Sequence, residues 1–192
     1  EVSEKVPSAL DLLDRYDGIS ITSPYKKRFL DEVEVVGEYQ QAINVLFIQD
    51  GKVFGTNTDY ISCDQIIEEL QTKNNIPEIY LLGDGSMADM IKMIANKRKI
   101  SLLQYSRKLG NIDLFNKEIL SARTNSLVIN SCSRAYQFKF ESSKRLLVWD
   151  LNYNSDSKAW FNVRANLSFM DGISLLEKQA KNALTFWNLN SK

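Results

Sequence analysis

The stretch from Ile79 to Met93 constrains the fold of this chain more than any other. A short apolar run ends at Leu82, the sequence Gly83-Asp84-Gly85-Ser86 follows, and apolar residues then recur at helical spacing. This order predicts a strand, a tight turn and a helix. Two glycines two residues apart let the backbone approach a ligand, and the helix start presents unpaired N–H groups, as in sites for dinucleotide phosphates. Ala88 replaces the third glycine of that pattern, so a plain strand-turn-helix connection stays an alternative.

Composition and charge describe a folded protein and exclude several classes of partner. The 192 residues are 44% hydrophobic and 25% charged, enough for one domain or two small ones. The 24 basic and 24 acidic residues balance, which argues against a nucleic-acid or anionic-membrane partner. No run is long and apolar enough to span a bilayer, and the acidic start EVSEK is unlike a signal peptide, so we expect a cytoplasmic protein.

Histidine and cysteine usage narrows the possible chemistry. The chain has no histidine, which excludes a Ser-His-Asp or Cys-His nucleophile and a histidine-ligated metal. Cys63 and Cys132 lie far apart without a CxxC pattern, so we expect buried thiols and no metal site. Any acid-base chemistry must therefore use Lys, Asp, Glu, Tyr or Cys.

Strands and helices alternate along the chain, which predicts an α/β fold with a parallel sheet in the second half. Short apolar runs bounded by turn residues predict strands at Ile19–Thr22, Ala42–Ile48, Val53–Phe54, Ile79–Leu82, Ile100–Tyr105, Leu127–Ser131, Leu146–Leu151 and Leu167–Met170. Apolar residues at helical spacing predict helices at Pro7–Tyr16, Tyr60–Gln71, Ile112–Leu120 and Ile173–Trp187. Ser23-Pro24 predicts a further helix start with Lys26 in its first turn, although an isolated Lys-Lys-Arg run is more typical of a solvated face.

Several segments, in order and spacing, resemble one known family. The first half contains Ser20-Ile21-Thr22-Ser23-Pro24-Tyr25-Lys26, Ala42-Ile43-Asn44, and Gly51-Lys52 through Gly55-Thr56-Asn57-Thr58-Asp59. The second half contains Leu82-Gly83-Asp84-Gly85-Ser86, Val128-Ile129-Asn130, Asp150-Leu151-Asn152-Tyr153-Asn154, and Asp171-Gly172-Ile173 to Gln179-Ala180. Over nearly its whole length the chain resembles the shikimate dehydrogenase family.

The resemblance implies a two-domain α/β enzyme that moves hydride between shikimate and NADP. Residues 61–172 would form a Rossmann-like parallel-sheet domain that binds the nucleotide. Residues 1–60 with 173–192 would form a smaller, discontinuous α/β domain that binds the substrate. The implied partner is a small-molecule substrate, with no nucleic acid and no membrane, and the enzyme would be a monomer or a homodimer.

For catalysis, the resemblance implies a pair formed by Lys26 and Asp59. Oxidation of a secondary alcohol needs a base for the hydroxyl proton, and the reverse reaction needs an acid for the carbonyl oxygen, so a lysine beside a carboxylate can serve both. A structural ion pair is the alternative. The positions aligned with residues that hydrogen-bond the ring hydroxyls are Ser20, Thr22, Asn44 and Gln179, although the family usually has asparagine in place of Ser20.

The cofactor site can be argued in part without the family. A fold that binds NAD would place an acid near the end of its second strand to hold the ribose 2′-hydroxyl. This chain has Ser106-Arg107-Lys108 there, and two cations suit a 2′-phosphate, so NADP is favoured over NAD. A solvated loop is the alternative. With the resemblance included, the predicted cofactor-binding residues are Gly83, Asp84, Gly85, Ser86, Met87, Ser106, Arg107, Lys108, Asn130 and Gly172.

Departures from the family pattern leave other functions open. The resemblance predicts an earlier strand and helix, with a Ser-x-Ser segment that binds the substrate carboxylate. The sequence starts at Glu1 without this segment, so we expect either a fragment or a divergent member of the family. Asp84 and Ser86 occupy a turn that usually carries small residues, and a carboxylate repels a pyrophosphate. Ser131-Cys132-Ser133-Arg134-Ala135 lacks the usual threonine-proline. The alternatives are a dehydrogenase for quinate or another cyclic polyol, and a non-catalytic binding or regulatory homologue.

Overall fold

The chain divides into two compact units. The computed structural model describes residues 7–132, 143–153 and 167–188. Unit 1 is drawn from Glu1–Ser62 and Glu177–Lys192, and unit 2 from Cys63–Leu176. Asn154 and the segment Ser133-Arg134-Ala135, which the sequence analysis singled out, lie outside the described residues.

Unit 1 contains a four-stranded mixed sheet in the order β1-β3-β4-β2. The strands are β1 (Gly18–Ser20), β2 (Glu34–Val35), β3 (Val45–Gln49) and β4 (Lys52–Thr56). Strand β3 pairs antiparallel with β1 and β4, while β2 joins β4 in parallel. Asp50 and Gly51 connect β3 to β4 with φ of 50° and 74°, the left-handed conformation that a two-residue hairpin turn requires. The two strands predicted on either side of this turn therefore form a hairpin.

A short helix packs against the sheet of unit 1. Helix α1 (Ala9–Leu13) begins with a capping box, in which the Ser8 hydroxyl accepts from the Asp11 N–H at 3.1 Å and the Ser8 N–H donates to the Asp11 carboxylate at 3.2 Å. The helix is shorter than the predicted Pro7–Tyr16. The buried apolar residues of this core are Ala9, Leu13, Ile21, Phe29, Ile43 and Leu46.

The prediction that a helix begins at Ser23-Pro24 is wrong. A single 3-10 turn, Tyr25–Lys27, occupies this position, and it has no side-chain cap. The backbone carbonyl of Lys26 accepts a hydrogen bond from the N–H of Ile43 at 2.8 Å instead of one from the following turn of a helix. A long-range backbone contact thus replaces the local ladder that an α-helix would need.

Unit 2 contains a five-stranded sheet in the order β6-β5-β7-β8-β9, and every pairing is parallel. The strands are β5 (Glu78–Leu82), β6 (Ser101–Tyr105), β7 (Ser126–Asn130), β8 (Leu146–Asp150) and β9 (Leu167–Met170). All residues of β5, β7 and β8 are buried, as expected for a parallel sheet covered on both faces. The predicted α/β fold class with a parallel sheet is confirmed.

Helices follow strands β5 and β6 of unit 2. Helix α3 (Ser86–Lys97) connects β5 to β6, and its buried side includes Met90, Ile91 and Ile94. The helix predicted at Ile112–Leu120 is shorter than expected, because only α4 (Phe115–Glu118) is α-helical and 3-10 turns flank it on both sides. Phe115 and Ile119, at the start of α4 and just past its end, are fully buried in the apolar core of this unit.

Two longer helices carry the junctions between the units. The chain passes from unit 1 to unit 2 within helix α2 (Thr58–Asn74). It passes back to unit 1 within helix α5 (Ile173–Asn188). Asp64 of α2 fixes α3 within unit 2, since its carboxylate accepts from Lys97 at 2.9 Å and from Arg98 at 2.5 Å. In the ranges that the structure describes, no helix combines the length and the apolar character needed to cross a membrane.

Candidate functional site

Lys26 and Asp59 form a direct ion pair. The Nζ atom of Lys26 lies 2.5 Å from the Oδ2 atom of Asp59, and the side chains are 27% and 8% exposed. The two residues are 33 positions apart in sequence, so the fold itself brings them together. The lysine is partly open to solvent while the carboxylate is buried, which leaves the amine accessible to a ligand.

The position of Asp59 depends on the start of helix α2. Asn57 caps this helix, because its Oδ1 accepts from the N–H of Tyr60 at 2.9 Å. The Nδ2 group of Asn57 donates to the carbonyl of Ala42 at 2.9 Å, which ties the helix start to the segment before β3. Asp59 therefore stands in the first turn of α2, where the helix dipole favours a negative charge.

A cavity of about 420 Å³ in unit 1 surrounds this pair. Its lining includes all the residues predicted for catalysis and substrate binding, namely Ser20, Thr22, Lys26, Asn44, Asp59 and Gln179. Ile21, Val45, Thr58, Ala180 and Ala183 complete the lining. Hydroxyl, amide, amine and carboxylate groups thus line one space, where they can donate and accept hydrogen bonds.

Thr58 is a member of this site that the sequence analysis did not select. Its N–H and its hydroxyl both donate to the Oδ1 of Asn44, at 2.8 and 3.2 Å. This arrangement occupies the amide oxygen of Asn44, so its Nδ2 group is the donor left for a ligand. The signal was present in the sequence, because Thr58 lies inside the Asn57-Thr58-Asp59 segment that carries the resemblance.

Helix α5 contributes the far wall of the cavity through Gln179 and the small residues Ala180 and Ala183. Two hydrogen bonds within unit 1 hold this helix. The amide of Asn182 donates to the Ser62 hydroxyl at 2.9 Å, and the indole N–H of Trp187 donates to the Leu46 carbonyl at 3.1 Å. These contacts fix the direction of the helix and hence the position of Gln179.

Unit 2 contains a second, larger cavity of about 640 Å³ at the carboxyl ends of its strands. Six of the predicted cofactor-binding residues line it, namely Gly83, Asp84, Gly85, Ser106, Arg107 and Lys108. Ile112, Ser131 and Cys132 are also part of the lining. Carboxyl ends of parallel strands are where α/β folds bind their ligands.

The two glycines of the turn before α3 have different roles. Gly83 has a φ of +117°, and a Cβ atom there would lie 2.4 Å from the Ser131 hydroxyl oxygen, so the backbone itself requires glycine. A Cβ atom on Gly85 would meet nothing within 4 Å, so the space beside it is open. Gly85 is also the N-cap of α3 and offers no capping side chain, which leaves the first N–H groups of the helix for a ligand.

The comparisons with known proteins agree with this geometry. No family model matches the chain. A shikimate dehydrogenase (NADP(+)) of Clostridium perfringens strain 13 is 23% identical over 196 residues, which span 89% of this chain and 72% of that protein. The corresponding protein of Buchnera aphidicola (strain Tuc7) is 27% identical over 202 residues, with the same two shares.

A solved structure gives the same result for the fold. The shikimate 5-dehydrogenase of Thermus thermophilus, in complex with NADP(H) and shikimate, aligns with a TM-score of 0.67 at 18% identity, covering 93% of this chain and 76% of that one. The chain resembles shikimate dehydrogenases. The resemblance predicted from the sequence motifs is thereby confirmed, both in sequence and in fold.

Some residues predicted from the shikimate dehydrogenase motifs lie outside the lining of either cavity. Ser86 and Met87 begin helix α3 directly after the lining residues. Asn130 is fully buried, and its side chain makes internal hydrogen bonds, donating to Asp150 at 3.2 Å and accepting from the Cys132 N–H at 3.1 Å. Gly172 packs so closely that a Cβ atom would lie 2.3 Å from the Leu151 carbonyl oxygen. Neither Asn130 nor Gly172 lines the larger cavity.

Asp150 is a buried carboxylate at the end of β8 that the sequence analysis quoted without assigning it a role. Its Oδ1 accepts from the backbone N–H of Asn152 at 2.9 Å and from the side-chain amides of Asn152 and Asn130. Burial raises the pKa of Asp150, although these hydrogen bonds oppose the shift. Asn152 also donates to the Cys132 carbonyl at 2.9 Å, so the network joins the ends of β7 and β8.

Charge in the larger cavity is mixed. Asp84 contributes a carboxylate to the same space as Arg107 and Lys108. Burial raises the pKa of Cys132 to about 11, with Asp84 adding to the shift and Arg107 opposing it, so this thiol stays protonated near neutral pH. Neither cysteine is in a disulfide, and within the described ranges no three His, Cys, Asp or Glu side chains are grouped to hold a metal ion.

Proposed function

We propose that this chain is an NADP-dependent oxidoreductase that interconverts shikimate and 3-dehydroshikimate. The observation that carries the proposal is the Lys26–Asp59 pair, 2.5 Å apart, in a polar cavity that all the substrate-binding residues predicted from the resemblance line together. The relatives named NADP(+)-dependent shikimate dehydrogenase and the related structure with NADP(H) and shikimate support the same assignment.

Lys26 and Asp59 act as the acid-base pair of the proposed reaction. In the oxidation direction, the neutral amine form of Lys26 accepts the hydroxyl proton of the substrate, and the ammonium group that results forms the ion pair with the Asp59 carboxylate. In the reduction direction, Lys26 returns that proton to the carbonyl oxygen. The partial exposure of Lys26 and the burial of Asp59 suit this division, because only the lysine has to contact the substrate.

The remaining groups of the cavity in unit 1 position the ring of the substrate. Ser20, Thr22 and Gln179 offer donors and acceptors to ring hydroxyls, and Asn44 offers its Nδ2 group because Thr58 occupies its oxygen. A site that hydrogen-bonds each hydroxyl discriminates against substrates that lack one, since its own polar groups would be left unpaired. Selectivity for a cyclic polyol follows from this lining.

The residues of unit 2 fit NADP. The N-terminus of α3 has no side-chain cap and can accept the pyrophosphate on its N–H groups, and the space beside Gly85 permits a close approach. Arg107 and Lys108 suit a 2′-phosphate, which NAD lacks. When bound, NADP supplies the acceptor for the hydride. Asp84 repels the pyrophosphate and weakens cofactor binding without removing the site.

The domain roles follow from these assignments. Residues 1–60 with 173–192, close to the bounds of unit 1, are proposed as the substrate-binding and catalytic domain. Residues 61–172, close to the bounds of unit 2, are proposed as the NADP-binding domain, in which Asn130 and Gly172 support the cofactor loops. We propose that the reaction takes place in the cytoplasm and that the enzyme is a monomer or a homodimer.

The experiment is a turnover assay that follows reduced nicotinamide with shikimate or quinate as substrate and NADP or NAD as cofactor. The proposal predicts turnover with shikimate and NADP, and slower turnover when either is replaced. Turnover of quinate without turnover of shikimate would indicate that the substrate is another cyclic polyol. Binding of NADP without turnover of any substrate by the folded protein would instead indicate a non-catalytic homologue.

A further inference from the structure

The side chain of Asn111 holds the loop that carries the two cations of the larger cavity. Its Oδ1 accepts from the backbone N–H of Ser106 at 2.9 Å, and its Nδ2 donates to the backbone carbonyl of Gln104 at 2.8 Å. One amide therefore binds two backbone groups where strand β6 ends and the loop begins. Asn111 itself does not line the cavity, and it is not among the residues predicted from the sequence.

The loop between these points is compact. The Ser106 hydroxyl accepts from the N–H of Leu109 at 3.0 Å, and the Ser106 carbonyl accepts from the N–H of Asn111 at 3.3 Å. Gly110, with a φ of +68°, donates its N–H to the Arg107 carbonyl at 3.1 Å. Ser106 is only 1% exposed, whereas Arg107 and Lys108 are exposed. The loop is therefore anchored by a buried residue, and its two cationic side chains are accessible to a ligand.

The same strand end also reaches the glycine turn. The side-chain amide of Gln104 donates to the Gly83 carbonyl at 2.7 Å, and the Gly83 N–H donates to the Tyr105 carbonyl at 2.9 Å. Gln104 thus contacts Gly83 through its side chain and Asn111 through its backbone. The position of the cationic loop is therefore defined relative to the turn that precedes α3.

We propose that Asn111 is a positioning residue that sets the preference for NADP over NAD, an inference that rests on the proposed function. Without its amide, the Ser106 N–H and the Gln104 carbonyl lose their partners, and the loop rearranges to satisfy them. A planar guanidinium recognises a phosphate through oriented hydrogen bonds, so a displaced Arg107 loses much of this contact. NAD has no 2′-phosphate, and its binding does not depend on the loop in the same way.

The test compares the binding of NADP and of NAD to Asn111→Ala by calorimetry, with no turnover required. The Kd for NADP is expected to rise about tenfold, as for loss of a hydrogen bond to a charged group, while the Kd for NAD changes less than about twofold. Asn116→Ala is the matched control, because it removes the same group from an exposed position on α4 and should leave both constants unchanged.

A double variant separates positioning from general loosening of unit 2. If Asn111 acts through Arg107, Asn111→Ala adds little to the loss that Arg107→Ala already causes in NADP binding. If the alanine variant does not fold, Asn111→Ser replaces it, because serine keeps a polar side chain that cannot reach both backbone partners. Asn111→Ser is expected to show the same selective loss of NADP binding. Equal weakening of NADP and NAD, or full additivity with Arg107→Ala, would overturn the proposal. If the unmodified chain binds neither cofactor, the proposed function fails with it.

Discussion

The two cavities differ in how closely they keep the pattern of the shikimate dehydrogenases. The cavity of unit 1 is lined by every residue predicted for it, and its one lysine is paired with its one carboxylate. The cavity of unit 2 keeps its glycines and cations but carries Asp84 where a small residue is usual. Proton transfer requires particular side chains, whereas phosphate binding at a helix start uses backbone N–H groups and tolerates more change in the side chains around them.

The largest predicted effect falls in the cavity of unit 1. Asp59→Asn removes the charge that stabilises the ammonium form of Lys26, so kcat with shikimate and NADP should fall about a hundredfold or more. Kd for NADP should stay unchanged, because Asp59 is not part of the nucleotide site. Steady-state kinetics and calorimetry measure the two quantities. Asp17→Asn, at an exposed position, is the control, and a similar loss in both variants would remove Asp59 from the mechanism.

The next prediction separates structure from binding within the nucleotide turn. Gly83→Ala places a Cβ atom 2.4 Å from the Ser131 hydroxyl at a φ of +117°, so the free energy of unfolding should fall by roughly 1–3 kcal/mol. Gly85→Ala meets no atom within 4 Å and should leave Tm near that of the unmodified chain while weakening NADP binding. Thermal melting of both variants is the measurement. Equal losses of Tm would contradict the different roles assigned to the two glycines.

A smaller effect tests whether Asp84 weakens the cofactor site. Asp84→Asn removes a negative charge beside the proposed pyrophosphate position and should tighten NADP binding by about threefold to tenfold. The gain should shrink as the salt concentration rises, since ions screen the repulsion. Asp89→Asn is the control, because Asp89 lies on the helix that follows this turn but pairs with Lys92 at 2.7 Å and does not line the cavity. Weaker binding after Asp84→Asn would mean that the carboxylate contributes a contact.

The smallest effect concerns pH and the buried carboxylate of Asp150. Burial raises its pKa above the ordinary value of 3.8, so the folded protein retains a proton that the unfolded chain releases. The stabilisation is fully present below that ordinary pKa and is lost as pH rises through the raised pKa of the folded state. Asp150→Asn cannot ionise and should show a smaller fall in Tm than the unmodified chain between about pH 4 and about pH 7. Equal slopes would exclude a raised pKa at this position.

The sequence predicted the parallel sheet well. Each of the five strands of unit 2 begins and ends within one residue of its predicted bounds. For β5, β7 and β8 the reason is that a strand buried on both faces is a continuous apolar run between turn residues. The turn at Tyr25–Lys27 was predicted less well. Ser23-Pro24 is a good local start for a helix, but the hydrogen bond from Ile43 to the Lys26 carbonyl decides the structure there, and nothing local in the sequence encodes that contact.

The site shows the same division between local and long-range information. Motifs were sufficient to select six of the residues that line the cavity of unit 1, including both members of the Lys26–Asp59 pair. They could not identify Thr58 as the partner of the Asn44 oxygen, or Asn111 as the residue that holds the cationic loop, because these roles depend on backbone positions that only the fold brings together. Asn130 illustrates the converse, since a motif position in sequence is a fully buried support in the structure.

The most direct test of the account compares Lys26→Ala with Lys27→Ala. The two lysines are adjacent in one 3-10 turn, but only Lys26 pairs with Asp59 and lines the cavity. We predict that Lys26→Ala lowers kcat with shikimate and NADP by about a hundredfold or more and leaves the Kd for NADP unchanged, while Lys27→Ala behaves like the unmodified chain. Retention of activity by a folded Lys26→Ala protein would contradict the central claim that this lysine moves the proton.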